Sequence, residues 1–401
     1  MKLDRGVHLT YCSNIHPGES WAEVRDNLDR HVRAVRDRVQ PGGDFGIGLR
    51  LSARAAAELA EPQALSELRA FLARERMYVF TINGFPYGAF HGTPVKAEVY
   101  RPDWRDPERL RYTNQLADLL AALLPDDAGL DGSVSTVPGA FKPALAGAAD
   151  VQTMVEHLLA HVAHLVALRA RTGRRIALAL EPEPHCFLET IAEVVDFFGR
   201  HLFGPAAVQR LAALTALDAT AAARALREHL GLCLDLCHAA VEYESAAEGL
   251  RQLDAAGIRV HKMQVSAGLR LPALDAKALA ALRRFDDAVY LHQVVERTAL
   301  GLHRYADLPA AFAALPDGAA ATDREWRVHF HVPIFLDRIE PFESTQAFVR
   351  EVLAIQRARP VSAHLEVETY TWDVLPAPLR SGSVDAAIAR ELDWVRHELT
   401  A

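Results

Sequence analysis

Three observations predict an α/β chain folded as a (β/α)8 TIM barrel. Short β-like runs alternate along the chain with longer Ala- and Leu-rich segments of helical period. Within several runs the large aliphatic side chains take one parity and the small ones the other, and polar residues collect where the apolar runs stop. Alternating βα units build a parallel sheet, and barrel enzymes carry their chemistry at the C-terminal mouth of its strands.

Nine runs read as strands: 7–12, 45–51, 77–83, 133–137, 176–181, 231–236, 259–265, 328–332 and 363–368. Helical stretches fall at 20–38, 107–124, 151–171, 188–200 and 385–399. A barrel needs eight strands, so one is surplus. In 176–181 the residues Ile176, Leu178 and Leu180 share one face while Ala177, Ala179 and Glu181 share the other, because strand side chains alternate with period two. In 231–236 Leu232, Leu234 and Leu236 stand opposite Cys233 and Asp235 in the same way. The leucine faces belong against helices and the small faces, each ending in a carboxylate, inside the barrel. The expected organisation is one domain over 1–401 with insertions at about 204–230 and 269–326, the second mostly helical.

The 401 residues carry 44 Lys and Arg against 52 Asp and Glu, a net charge of −8, which argues against a nucleic-acid partner or an anionic membrane surface. No apolar stretch follows the charged start of the chain and no unbroken apolar run approaches about 18 residues, so a cytoplasmic protein without membrane insertion is expected. Four scattered cysteines form no C-x-x-C pair and are expected to be reduced. Cys233 and Cys237 read as small filler, and His261 as packed against a helix. Gly43, Gly46 and Gly48 run in the reverse of the dinucleotide order and precede a strand, which argues against nucleotide binding of that kind.

Five strand ends carry groups able to ligate a metal: LALEPEP (Glu181, Glu183), LCLDLCH (Asp235, His238), VHKMQVSAG (Lys262, Gln264), VHFHVP (His329, His331) and HLEVETYTW (Glu366, Glu368). Carboxylates with imidazoles suit Zn, Mn, Co or Fe, one or two ions, and converging strands can supply them without a local motif. Each has a plainer reading: Glu181 as a solvated rim carboxylate, Asp235 as the cap of the next helix, His329 and His331 as hydrogen-bonded core histidines. Glu366 and Glu368 compete for one role, with Glu368 nearer the strand end. Burying the whole set without a cation would be costly. In the loop FTINGFPYGAFHG, Asn83, Tyr87 and His91 are candidate substrate contacts, as is Glu183 in LEPEP; the loop residues serve equally to hold the loop.

This order of E, D-x-x-H, a strand ending in a polar ligand, a short His motif and a final E resembles the xylose-isomerase-like barrel superfamily of sugar epimerases and endonuclease IV type hydrolases. More narrowly, YCSNIHPGESW, FTINGFPYGAFHG, YRPDW, STVPGAFK, LEPEP, HFHVP and EVETYTWDVLP look like the metabolite traffic (EboE) family of ebo operons. The resemblance implies that Glu181, Asp235, His238 and Glu368 bind metal, that Gln264 stands where the superfamily has a metal-binding His, and that His329 and His331 match the D-x-H of the endonuclease-like branch, which accounts for the surplus strand. It implies Glu181 and Glu368 as proton-exchanging residues, with Lys262 adding positive charge, and a polyol or cyclitol-like small-molecule partner beside ebo-operon partner proteins. Asn83 and Val137 stand where trinuclear hydrolases use histidines, which leaves one or two ions. Three functions follow: a metal-dependent isomerase or epimerase, a phosphoester hydrolase, or a metabolite-handling protein without turnover.

Overall fold

The computed structural model describes residues 1–401 apart from 90, 92–93, 127–128, 287–288, 316–322, 370 and 372–381. Phe90 and Gly92 of the FTINGFPYGAFHG loop and most of TYTWDVLP therefore lie outside the described residues. The strands are β1 (His8–Tyr11), β2 (Phe45–Arg50), β3 (Met77–Asn83), β4 (Gly132–Thr136), β5 (Ile176–Leu180), β6 (Leu230–Asp235), β7 (Arg259–Val265), β8 (Ala267–Leu271), β9 (Val294–Thr298), β10 (Gly301–Tyr305), β11 (Glu325–Val332), β12 (Arg338–Ile339), β13 (Phe342–Ser344) and β14 (His364–Val367).

Eight of them form one all-parallel sheet in the order β1-β14-β7-β6-β5-β4-β3-β2. Its two ends meet at the bridge between Cys12 and Gly48, which curls the sheet into a barrel. Beside that bridge a side chain completes the seam: Thr10 Oγ1 donates to Gly46 O at 2.7 Å and accepts from Gly48 N at 3.0 Å. Gly48 is required by space, because a Cβ there would overlap Glu366 Oε1 and sit 2.6 Å from Tyr11 O. Leucine faces point outward as the alternation predicts, and Leu178, Leu180, Leu232 and Leu234 are buried in the core between sheet and helices.

The surplus strand belongs elsewhere. Residues 328–332 lie in β11, part of a second, antiparallel sheet ordered β10-β9-β11-β8-β13-β12. The stretch 269–326, expected to be mostly helical, contributes β9, β10, most of β8 and the start of β11, and its described residues also form the short helices Ala276–Leu282 and Leu308–Ala313 and the 3-10 turn Arg283–Phe285. Its alternating Val-Val-Glu-Arg-Thr and Glu-Trp-Arg-Val runs are β-formers whose period was overridden in the reading by the Ala-rich segments around them. The stretch 204–230 is helical, as Pro205–Thr215 and Ala219–His229.

The helix Ala148–Thr172 departs from the expectation drawn from run length: it is long and apolar enough to cross a membrane. Met154, Val155, Leu158, Leu159, Val162 and Leu165 are buried at helical spacing, placing an amphipathic stripe against its neighbours.

Inside the barrel Lys262 and Glu366, both fully buried, form an ion pair at 2.5 Å. Burial alone would depress the Lys262 ammonium, but the Glu366 carboxylate holds it well above its ordinary value. Removing one member strands a charge, so Lys262→Met is expected to lower stability by about 3–5 kcal/mol, with much of the loss recovered in Lys262→Met/Glu366→Leu. Urea midpoints of the two variants test this; equal midpoints for parent and single variant would contradict it.

Candidate metal centre

Each carboxylate at the barrel mouth is placed by strand register. Asp235, Gln264 and Glu366 stand level on β6, β7 and β14, Glu181 follows the end of β5, and Glu368 follows β14 one inward position beyond Glu366. Glu181, Asp235 and Glu368 each offer a carboxylate oxygen within 4.8 Å of the others, and all three are buried. Asp235 is the helix cap the sequence allowed and still keeps one oxygen free to ligate. Its Oδ1 caps the helix Leu236–Val241 by accepting from His238 N at 2.9 Å and also accepts from Ser266 Oγ at 2.8 Å; its Oδ2 is buried with no hydrogen-bond partner. Glu181 Oε2 is left in the same condition. Glu368 Oε1 accepts from Asn14 Nδ2 at 2.7 Å and Asn83 Nδ2 at 3.1 Å.

Crowding of like charge shows in the acidities. Burial, then the neighbouring Asp235 carboxylate, pushes Glu181 up to about 8. Burial followed by Glu181 and Asp235 holds Glu368 well above the carboxylate range. Three crowded buried acids, two of them with an unsatisfied buried oxygen, suit a divalent cation, which would neutralise them and fill the orphaned lone pairs.

A second set of ligating atoms adjoins the first. His238 Nδ1 bonds Pro182 O at 2.9 Å, His331 Nδ1 bonds Glu368 O at 2.8 Å, and His329 Nδ1 bonds Gln293 Oε1 at 2.7 Å. Carbonyl oxygens only accept, so each Nδ1 carries the hydrogen and each neutral ring presents an Nε2 lone pair. The Gln293 amide cannot be turned over, because its Nε2 donates to Glu183 Oε1 and Pro184 O. His238 Nε2 and His329 Nε2 face each other at 3.0 Å, a contact that two lone pairs sustain only with a proton or a cation between them. Burial holds His329 well below the ordinary imidazole range, whereas at His238 the effect of burial is outweighed by Asp235, Glu183 and Glu181, which raise it. The groups Asp235–His238–His331 and Glu183–His238–His329 each bring ligating atoms within 4.8 Å, so Asp235 and His238 join a carboxylate-rich centre to an imidazole-rich one.

His329 and His331 come from the second sheet, whereas His238 stands on the helix that follows β6. β11 pairs with β8 at Val328 and again at Val332, four residues matched against the two steps from Leu269 to Ala267, so His329 and His331 sit in an irregular stretch of strand. Such bulges re-aim side chains.

Other sequence candidates fare differently. Asn83 lines the cavity and holds Glu368. Glu183, expected to touch substrate, accepts from Tyr100 Oη at 2.5 Å and stands among the imidazoles, where its carboxylate can ligate. Gln264 is fully buried between Asp235 and Glu366, with neither amide atom hydrogen-bonded. The Lys262 ammonium pairs with Glu366 below the site and is not among the cavity-lining residues, yet its positive charge still acts on Glu181 and Glu368 and opposes the rise of both. Tyr87 is corrected, since its hydroxyl donates to Glu108 at 3.0 Å on the outer side of the loop. His91 does not line the cavity either, and lies by Arg50 and the Asn14 backbone. Cys237 is buried, with Sγ within 4.8 Å of ligating atoms of His329 and His331.

Four positioning residues escaped the sequence reading: Asn14, Tyr100, Ser266 and Gln293. Asn14 and Ser266 carried a usable signal, being polar residues just beyond strand ends; Tyr100 and Gln293 act across loops, and nothing local marks them. Because Gln293 sets the His329 tautomer and donates to Glu183, Gln293→Leu is expected to weaken binding at the imidazole-rich centre by about 10–100-fold while sparing the carboxylate-rich one. Calorimetric titration with Zn2+ would show this as loss of one binding phase; two unchanged phases would contradict it.

No protein-family model matches the chain. No curated protein matches it either. Solved structures do. A xylose isomerase-like TIM barrel protein from Mycobacterium smegmatis, in complex with magnesium, aligns over 100% of this chain and 99% of its own at 13% identity with TM-score 0.50. The 3-keto-D-glucoside 4-epimerase YcjR from E. coli aligns over 98% and 99% at 12% identity and TM-score 0.44, and an IOLI protein with a bound zinc over 98% and 97% at 13% and 0.44. At such identities the likeness is one of architecture: the chain has the fold of the xylose-isomerase-like (β/α)8 barrels.

Proposed function

We infer that the chain is a divalent-metal-dependent isomerase or epimerase of a sugar-like or cyclitol carbonyl compound, of the EboE type and acting with ebo-operon partner proteins. The observation that carries this reading is the pair Glu181 and Glu368, buried together in one cluster with Asp235, where burial and mutual repulsion raise the proton affinity of both. A general acid and a general base work best when their proton affinity lies near the working pH. The ionised member of the pair takes the proton from the carbon beside the carbonyl, and the protonated member returns one to the opposite face or to the neighbouring carbon. No oxidant or second substrate is needed. Asn14 and Asn83 hold Glu368 in position through the same oxygen, leaving Oε2 for the substrate side. Glu181, Asp235, His238 and Glu368 would hold the cation, which when bound supplies stabilisation of the negative charge developing on the substrate oxygen.

The protein loaded with Mn2+ or Zn2+ is expected to exchange the hydrogen beside the carbonyl of a ketose for deuterium in D2O, read by proton NMR over D-fructose, D-tagatose and D-psicose. Glu181→Gln and Glu368→Gln should each slow exchange by at least ~10²-fold. Exchange undiminished in both variants would remove the proposed acid and base.

Acidity predicts a sign as well. Below about 8 Glu181 is mostly protonated in the free protein, and cation binding must expel that proton. Affinity should therefore rise with pH between 6 and 8, by about tenfold per unit for each proton displaced. A flat profile in calorimetry would exclude Glu181 as a ligand.

A second reading, metal-dependent phosphoester hydrolysis, is favoured by the adjoining imidazoles of His238, His329 and His331, because paired ions are a hydrolytic arrangement. Two tightly held ions per chain together with turnover of bis-p-nitrophenyl phosphate would favour it over isomerisation.

A further inference from the structure

Above the ligating groups the cavity, about 70 Å³ in free volume, changes character. Its floor is polar; its roof is Phe85, Pro86, Val95, Val99, Tyr290 and Leu291. Two excursions build this roof and are fastened together: Val95 N and Lys96 N both donate to Val289 O at 3.1 Å, and Lys96 Nζ donates to Tyr290 O at 2.7 Å and Asp307 Oδ2 at 2.8 Å. Phe85 and Tyr100 line one side with their rings stacked at 5.7 Å, and Phe141, outside the lining, stacks on Tyr100 at 5.1 Å.

Hydroxyl groups set against such a roof would lose water without gaining a partner, whereas apolar surface there would be favourably buried. A free sugar or polyol carries hydroxyls on every side and fits the floor alone.

We propose that the substrate is a compound of two-faced character, with an oxygenated edge turned to the ligating floor and an apolar, planar appendage such as an aryl or unsaturated ring under the roof. This rests on the metal centre being the substrate site. The test is calorimetric binding of phenyl β-D-glucopyranoside and methyl β-D-glucopyranoside to the Mn2+-loaded full chain, and to Val99→Asn and Leu291→Asn. Phenyl glycoside should bind roughly tenfold or more tightly than methyl glycoside. Either variant should bring the ratio towards one while keeping the methyl glycoside affinity. Equal affinities in the parent chain, or binding of neither glycoside, would overturn the proposal. Failure of the metal reading looks different: the phenyl preference would persist, sensitive to Val99→Asn, in protein that takes up no Mn2+.

Discussion

Three carboxyl groups from three strands share a space from which water is largely excluded, and their mutual repulsion organises the mouth of the barrel. Left to themselves Glu181, Asp235 and Glu368 cannot all ionise, as the raised proton affinities of the two glutamates record. The surrounding structure stabilises this arrangement without abolishing it. Helix capping and Ser266 satisfy one oxygen of Asp235, and two asparagines satisfy one oxygen of Glu368. The remaining lone pairs face inward together. One layer deeper the charge is settled internally by Lys262 and Glu366, so the barrel separates a closed ion pair from an open cluster only one inward position further along the same strand.

The architecture divides the labour. Barrel strands deliver carboxylates by register, while the antiparallel sheet delivers His329 and His331 by way of an irregular strand, and Gln293, just before β9, sets the tautomer of His329. Neither sheet alone contains both kinds of ligand. His238, on the first helical turn after β6, is the hinge between the two sets, with its tautomer chosen by the carbonyl of Pro182.

Much of this was legible in the sequence because period-two alternation is a local property. The Leu/Ala faces of 176–181 and 231–236 reveal which side is inward, and a carboxylate ending the inward face must emerge at the mouth. The ninth strand was legible as a strand but not as a member of another sheet, since pairing partners are non-local. The fate of Lys262 was hidden for a related reason: parity told that it pointed inward, but not that Glu366 lay within reach of it. Tyr87 and His91 show the limit for loops, where spacing carries no facing rule. Gln293 and Tyr100 were invisible because their importance lies in holding other residues.

The joint ownership of the ligands bears on how the molecule comes apart. An ion held by groups from both sheets acts as a rivet, and whatever the ion adds to cohesion depends on its free concentration, rising by about 1.4 kcal/mol for each tenfold excess over the dissociation constant. An outer sheet fastened in that way would open to proteases before the barrel does in a chelated sample, and the availability of trace elements would then bear on this protein's lifetime.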